Sequence, residues 1–223
     1  MNWYHIAAIA SAAFCFVAFL IQAVRLVRMG APKDFSEKKG SVAKGVLYSC
    51  TTAMSPMQKE SAYKHLPTYT AGIIFHIGVF VTLLFFIWTV IALFAGICLP
   101  ETISFILMVG LAVSSLCGVA ILLKRVFKKE LRYFSSPDDY ISNLLTTAAQ
   151  IITLCCICID IYPLSYTGNC VAVAYFLILS LLLLWMPFGK TKHVLYFFFA
   201  RYHLGYFYGR RGSWPVKRMN DGK

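Results

Sequence analysis

The chain has 223 residues, of which 59% are hydrophobic and 13% charged, and its mean hydropathy is +0.70. This composition excludes an ordinary soluble domain, in which about a quarter of the residues are charged. The net charge of +12 would suit a nucleic-acid-binding protein. The positive residues flank long apolar runs, however, so we predict no nucleic-acid partner and interpret them as topology determinants and as contacts for anionic lipid or an acidic subunit.

Five apolar segments are each long enough to cross a bilayer, which takes about 20 residues in a helix. They cover residues 3–24, 72–97, 103–123, 141–161 and 171–188. The first has no basic residues before it, so we expect a retained helix rather than a cleaved signal peptide. Since no soluble domain of useful size follows any segment, the sequence predicts an all-α fold, an integral membrane five-helix bundle that forms one domain.

All 21 Lys and Arg residues lie in three of the gaps between these segments. Residues 25–64 hold eight of them, residues 124–132 hold five and residues 190–223 hold eight, whereas the turns at residues 98–101 and 160–170 hold none. Cytoplasmic loops of inner-membrane proteins retain positive charge. The pattern therefore predicts an N-terminus outside and a C-terminus in the cytoplasm, in the inner membrane of a bacterium or archaeon.

Two predicted cytoplasmic stretches are long enough to contact another protein. Residues 25–70 form a loop rich in Lys, Ser, Gly and Pro, which is more typical of a docking surface than of a short connector. Residues 189–223 form a basic and aromatic tail, whose aromatic residues are expected at headgroup depth. Before the fourth segment, Ser135 or Ser136 is predicted to cap the helix.

Eight cysteines are present, and Cys155, Cys156 and Cys158 lie inside the fourth segment. They have no second pair and no histidine nearby, so a packing role is favoured over an iron–sulfur or zinc site. Cys98 and Cys170 both lie at predicted outer ends of helices. They could form a disulfide in an oxidising periplasm or remain free thiols.

Two of the five histidines lie where a membrane cofactor could use them. His76 lies inside the second segment, and it is either a functional residue or a neutral histidine bonded to a neighbouring helix. His193 follows the fifth segment and could be an ordinary interfacial residue. Because the second segment runs outward and the fifth runs inward, both imidazoles are expected at one membrane level, where two histidines from facing helices can hold a b-type haem.

Haem carries two propionates, which favour basic surroundings. Lys124 and Arg125 end the third segment at the corresponding level, so they are candidate propionate partners. Charges that stop the transfer of a helix across the membrane explain these two residues equally well, and the sequence leaves both explanations open.

At these residues the chain resembles the gamma-subunit family of respiratory nitrate reductase, which includes the cytochrome b subunits of heterodisulfide reductase and of sulfate-reducer transmembrane redox complexes. The resembling motifs are Phe75-His76-Ile77-Gly78, Leu122-Leu123-Lys124-Arg125, Ser136-Pro137-Asp138-Asp139-Tyr140, Met186-Pro187-Phe188-Gly189-Lys190-Thr191-Lys192-His193 and Phe198-Phe199-Ala200-Arg201-Tyr202. The resemblance implies that His76 and His193 are axial ligands of the haem nearer the cytoplasm. It also implies electron exchange between menaquinone or ubiquinone and a cytoplasmic iron–sulfur subunit.

The chain departs from the nitrate reductase pattern at the outer haem. In that family a further histidine on each of the second and fifth helices holds it, whereas here those places look like Phe86 and Tyr175, neither of which suits such a site. We therefore predict one haem b rather than two. The departure moves the resemblance toward the heterodisulfide-reductase and sulfate-reducer branch, which implies a cysteine-rich iron–sulfur partner and, in some complexes, a periplasmic multihaem cytochrome c.

The other three histidines admit several roles. His65 and His203 are predicted near the cytoplasmic membrane surface. There they could line a quinone headgroup pocket, hold a second haem as a pair, or face solvent or the partner subunit. His5, near the outer surface, could serve an outer quinone site.

The sequence favours one function and keeps two others open. A haem b membrane subunit of a respiratory redox complex would relay electrons and perform no substrate chemistry of its own. A structural membrane anchor for a cytoplasmic enzyme would need no redox cofactor, but it would leave His76 unexplained. A small transporter is disfavoured, because the segments carry almost no charge and form no inverted repeat.

Overall fold

The computed structural model describes residues 1–30, 34–55, 58, 62, 64–159 and 169–216. The regular structure in these ranges is helical, without a β-strand, which confirms the all-α prediction. In chain order the α-helices are α1 (Trp3–Arg28), α2 (Val42–Cys50), α3 (Leu66–Ala95), α4 (Glu101–Phe127), α5 (Lys129–Tyr133), α6 (Pro137–Cys158), α7 (Cys170–Trp185) and α8 (His193–Arg210), with 3-10 turns at Thr52–Met54 and Lys190–Lys192.

Four of the described helices, α1, α3, α4 and α6, are long and apolar enough to cross a membrane. A fifth span is obtained when α7 and Lys190–Arg210 are counted together as one interrupted span. On the spanning helices, Leu84, Phe94 and Leu116 are each 65% or more exposed, which suits a lipid surrounding and not water. The chain is therefore a multi-pass membrane protein, as the composition predicts.

Prolines set three of the helix boundaries that differ from the predicted ones. Helix α3 begins at Leu66 rather than at residue 72, with Pro67 in its first turn, where a proline needs no N–H. Helix α6 begins at Pro137 with Ser136 as its N-cap, which confirms one of the two predicted caps. Helix α7 ends at Trp185, because Pro187 cannot continue its hydrogen-bond ladder.

The chain divides into two compact units. The first unit comprises Met1–Ala18 and Pro67–Thr191, and the second comprises Phe19–Leu66 and Lys192–Lys223. The divisions fall within α1, at the start of α3 and within the 3-10 turn Lys190–Lys192, so they do not follow the predicted loop boundaries. The single membrane domain expected from the sequence stays a prediction.

The first unit has its core where one face of each helix turns inward. On α1 the buried residues recur at three- and four-residue intervals, which places them on one side of the helix. They are Tyr4, His5, Ala8, Ser11 and Cys15. The buried residues of α4, α6 and α7 include Leu111, Ala149, Cys156, Tyr175, Phe176 and Leu179.

In the second unit, the predicted loop and tail fold together through glycines. A Cβ atom added to Gly45 on α2 would overlap the carbonyl oxygen of Gly205 and the Cα atom of Gly209 on α8, so the two helix backbones are in direct contact. Ser49 Oγ donates to the carbonyl of Arg201 at 2.7 Å, and Arg201 Nε donates to the carbonyl of Ser49 at 2.7 Å. These contacts fix how α2 lies on α8.

An ion pair joins the start of the predicted loop to the end of α8 within the second unit. Arg211 Nε and Nη2 donate to the two carboxylate oxygens of Asp34, each at 3.2 Å, and the backbone N–H of Ser36 also donates to that carboxylate. The Arg211 hydrogen bonds, supported by those of Ser36, hold the pKa of Asp34 well below its usual range. The Arg211 guanidinium also lies 4.0 Å from the centre of the Phe207 ring.

Candidate functional site

The His76 ring is hydrogen-bonded to a backbone carbonyl of its own helix. Its side chain is exposed on α3, and its Nδ1 lies 2.6 Å from the carbonyl oxygen of Gly72. A carbonyl oxygen only accepts, so Nδ1 must carry the proton, and in the neutral ring the lone pair then lies on Nε2. Metal-ligating histidines commonly use their second nitrogen to donate to a backbone carbonyl in this way. The donor chemistry of His76 therefore fits the axial ligand of a haem.

The helix around His76 is held by a buried polar network from two neighbouring helices. Ser114 Oγ on α4 lies 3.1 Å from the carbonyl oxygen of Ile74 and 2.7 Å from Gln150 Oε1 on α6. Gln150 Nε2 donates to the carbonyl of Phe75 at 3.3 Å. The sequence does not reveal these partners, because a glutamine in an apolar run gives no information about which helix it meets.

Two small residues allow these three helices to approach closely. A Cβ atom added to Gly78 would overlap the Ser114 side chain, and one added to Gly118 would press on the Phe75 ring and on Thr147 Oγ1. The motif Phe75-His76-Ile77-Gly78 thus combines a candidate ligand with residues that pack against α4 and α6. This packing is the usual use of small residues between membrane helices.

His193 is the first residue of α8, and its side chain is exposed. It directly follows the 3-10 turn Lys190–Lys192. His76 belongs to the first unit and His193 to the second. Their joint ligation of one haem stays a prediction.

The turn between α7 and Lys190 is held against α6. Trp185 Nε1 donates to Ser142 Oγ at 3.0 Å, and Ser142 Oγ donates in turn to Asp138 Oδ1 at 2.8 Å. A Cβ atom added to Gly189 would overlap the Trp185 indole, so glycine is required there. The resembling motif that runs from Met186 to His193 therefore begins as a tightly packed turn.

The candidate propionate partners have partners within the protein. Arg125 Nη1 lies 3.0 Å from Asp139 Oδ1, the side chain of Lys190 pairs with the same oxygen, and Lys124 Nζ donates to Thr68 Oγ1. Asp139 has only 5% of its side chain exposed. Two cations on one carboxylate leave a local excess of one positive charge.

Asp139 also accepts hydrogen bonds from the backbone N–H of Ser136 at 2.9 Å and from its hydroxyl at 3.0 Å. Its carboxylate thus joins the start of α6 to the end of α4 and to the turn after α7. The sequence does not indicate these contacts of Asp139, because its positive partners lie 14 and 51 positions away along the chain.

Phe86 and Tyr175, the residues that the resemblance predicts in place of outer haem ligands, are packed aromatic side chains. Tyr175 is 0% exposed, with its ring 5.1 Å from that of Phe176, and its hydroxyl lies 3.4 Å from Thr89 Oγ1. Phe86 is also buried. His5 is buried against the rings of Tyr4 and Phe176, and its Nδ1 accepts a hydrogen bond from the backbone N–H of Asn2.

His65 and His203, the candidate quinone-pocket residues, both belong to the second unit. His65 is exposed in a turn before α3, whereas His203 is half-buried on α8 beside Tyr202. Within the described part of the chain, His203 Nδ1 is buried and has no hydrogen-bond partner. A quinone oxygen or hydroxyl would satisfy this nitrogen, and that role stays a prediction.

All eight cysteines lie in the described ranges and are free thiols, so Cys98 and Cys170 form no disulfide. Of the three cysteines on α6, Cys156 is buried and Cys155 is half-buried, as the packing interpretation expects, whereas Cys158 at the end of the helix is exposed. Within the described ranges, no group of three or more His, Cys, Asp or Glu side chains could hold a metal ion. Ligation of a haem by two histidines does not require such a group.

No protein-family model, no curated protein and no solved structure matches the chain. The resemblance to the nitrate reductase gamma-subunit family, together with the haem, the quinone and the partner subunits that it implies, therefore stays a prediction.

Proposed function

We propose that the chain is the haem b membrane subunit of a respiratory redox complex. In this proposal it relays electrons between a quinone, or a periplasmic cytochrome c, and a cytoplasmic iron–sulfur subunit. The observation that carries the proposal is His76, an imidazole in a membrane-spanning helix whose Nδ1–H···O=C bond to Gly72 leaves the lone pair on Nε2. Bound haem would supply a one-electron carrier, and His76 and His193 would be its axial ligands.

The proposed topology has five spans, the N-terminus outside and the C-terminus in the cytoplasm of a bacterium or archaeon. Its support is the distribution of Lys and Arg, all of which lie in three gaps between the apolar segments. The second unit, which contains the long basic loop and tail, would then be the surface offered to a cytoplasmic partner.

The proposal includes one haem per chain. Support comes from Phe86 and Tyr175, whose buried side chains fill the places where the resembling family has outer ligands. Nearer the cytoplasm, Arg125 and Lys190 leave an excess of positive charge around Asp139, and this excess would favour the binding of a haem propionate.

The test is a reduced-minus-oxidised spectrum of the purified wild-type protein and of two variants, His76→Ala and His193→Ala. We expect a b-type signal in the wild type and its loss or severe weakening in both variants. His65→Ala is the matched control, and it should keep the signal, because one haem held by His76 and His193 takes no ligand from His65. A colourless wild type, or an unchanged signal in His76→Ala, would favour a structural anchor without a redox cofactor.

A further inference from the structure

Gln150 is a polar side chain in an unusual surrounding. It is 0% exposed and lies in the middle of α6, one of the spanning helices. A buried amide in hydrocarbon is unfavourable unless both of its ends are hydrogen-bonded. Gln150 meets this requirement by accepting from Ser114 Oγ on α4 and donating to the carbonyl of Phe75 on α3. It therefore binds two other helices at once.

Gln150 contacts the helical turn that ends at His76 directly, and Ser114 acts on that turn through Gln150, because its hydroxyl has a single proton and donates it to Gln150 Oε1. Ser114 Oγ lies 3.1 Å from the carbonyl oxygen of Ile74 and 3.4 Å from that of Phe75. These two carbonyls lie between Gly72, which accepts the hydrogen bond of the His76 ring, and His76 itself. The bond that orients the imidazole and the inter-helix network therefore belong to one helical turn.

Two other buried hydroxyls on these helices behave differently. Thr82 on α3 donates to the carbonyl of Gly78, and Thr153 on α6 donates to the carbonyl of Ala149, so each is bonded within its own helix. Such bonds satisfy the hydroxyl without joining helices. Thr153 lies three residues after Gln150 and is equally buried, so it provides a matched control.

We propose that Gln150 and Ser114 are positioning residues for His76, and this inference rests on the proposed haem function. Gln150 binds the carbonyl of Phe75 and Ser114 holds the Gln150 amide in place, so together they fix the turn that sets the plane of the His76 ring and the strength of its bond to Gly72. Both properties affect the basicity and orientation of an axial ligand, and hence the reduction potential of the haem.

The experiment compares Gln150→Leu, Ser114→Ala and the control Thr153→Val in the full-length protein. The two readouts are the electron paramagnetic resonance g values of the oxidised haem and its midpoint potential. We expect both to shift in Gln150→Leu and Ser114→Ala, while haem content stays close to that of the wild type, and neither to shift in Thr153→Val. Ser114→Ala removes a single oxygen, so it provides the test if Gln150→Leu does not fold.

Different results would overturn the positioning role of Gln150 and Ser114 and the haem function. If wild-type protein binds haem through His76 and both network variants keep the wild-type g values and potential, the positioning role is wrong and the haem function stands. Equal shifts in Thr153→Val would also overturn the positioning role, because any buried polar group would then have the same effect. A wild type without haem overturns both.

Discussion

The two units of the chain hold their helices together by different means. In the first, Gln150 and Ser114 cross between helices as buried polar side chains. In the second, α2 and α8 meet backbone to backbone around Gly45 and Gly205. A side chain can rotate to relieve a clash, whereas a helix backbone can only move as a whole. The same added methyl group should therefore be more harmful in the second unit than in the first.

The largest effect is expected from Gly45→Ala. The new methyl group would overlap backbone atoms of Gly205 and Gly209, so α2 and α8 must separate, at an expected cost of about 3 kcal/mol. Thermal unfolding and limited proteolysis of the second unit measure this. Gly110→Ala is the control, since a Cβ atom there meets nothing within 4 Å. A wild-type melting profile in Gly45→Ala would contradict the backbone contact.

A smaller loss is expected from Gly78→Ala. Its methyl group would overlap Ser114 Oγ and approach Gln150 Oε1, which can rotate away by giving up their hydrogen bonds. It would also overlap Ser114 Cβ, which can move only with the backbone of α4, so we expect a loss of about 2 kcal/mol. The double variant Gly78→Ala/Ser114→Gly moves the small residue to the facing helix and should recover part of the lost stability, but not all of it, because Gln150 Oε1 loses its donor. If the double variant is no more stable than Gly78→Ala, the side-chain explanation is wrong.

Asp139→Asn should destabilise the first unit by about 1–2 kcal/mol, because Arg125 and Lys190 lose their shared carboxylate. Both cations are partly exposed, so the loss should shrink at high salt. Thermal unfolding at two ionic strengths measures both effects, with Asp138→Asn as the control. A loss that is the same at both ionic strengths would argue against an ion pair.

The smallest effect concerns Asp34 in the second unit and depends on pH. The pKa of Asp34 is lower in the folded protein than in the unfolded chain. Its contribution to the free energy of unfolding is therefore complete above the unfolded-state pKa of about 3.9, and it is lost as the pH falls through the folded-state pKa. Unfolding measured at decreasing pH below 4 should show a loss of stability that Asp34→Asn lacks and that Glu37→Gln retains. Identical pH profiles for wild type and Asp34→Asn would contradict the Arg211 pair.

The membrane helices could be predicted because their signals are local. A run of about 20 apolar residues defines a span without knowledge of its neighbours, and Ser136 before Pro137 marks the start of α6. The predicted start of α3 was six residues late, at residue 72 rather than Leu66. Thr68, Tyr69 and Thr70 lower the mean hydropathy of the stretch after Pro67, but they do not prevent it from forming a helix.

The contacts between helices could not be predicted, because they join residues far apart in sequence. Gly205 and Gly209 are four residues apart, a spacing that permits close helix contact, yet nothing local identifies Gly45 as their partner. Likewise, Gln150 is conspicuous in an apolar segment, but its bonds to Ser114 and Phe75 depend on the rotation of three helices. His76 could be selected as a candidate from its position, whereas its bond to Gly72 required the structure.

The haem stoichiometry of the purified chain, determined as the pyridine haemochrome in wild type and in His76→Ala, tests the central proposal most directly. We predict one haem b per wild-type chain and essentially none in His76→Ala, with comparable amounts of folded protein in both. Two haems per wild-type chain would contradict the assignment of Phe86 and Tyr175 as packing residues. No haem in the wild type, or an equal content in both proteins, would contradict the role proposed for His76.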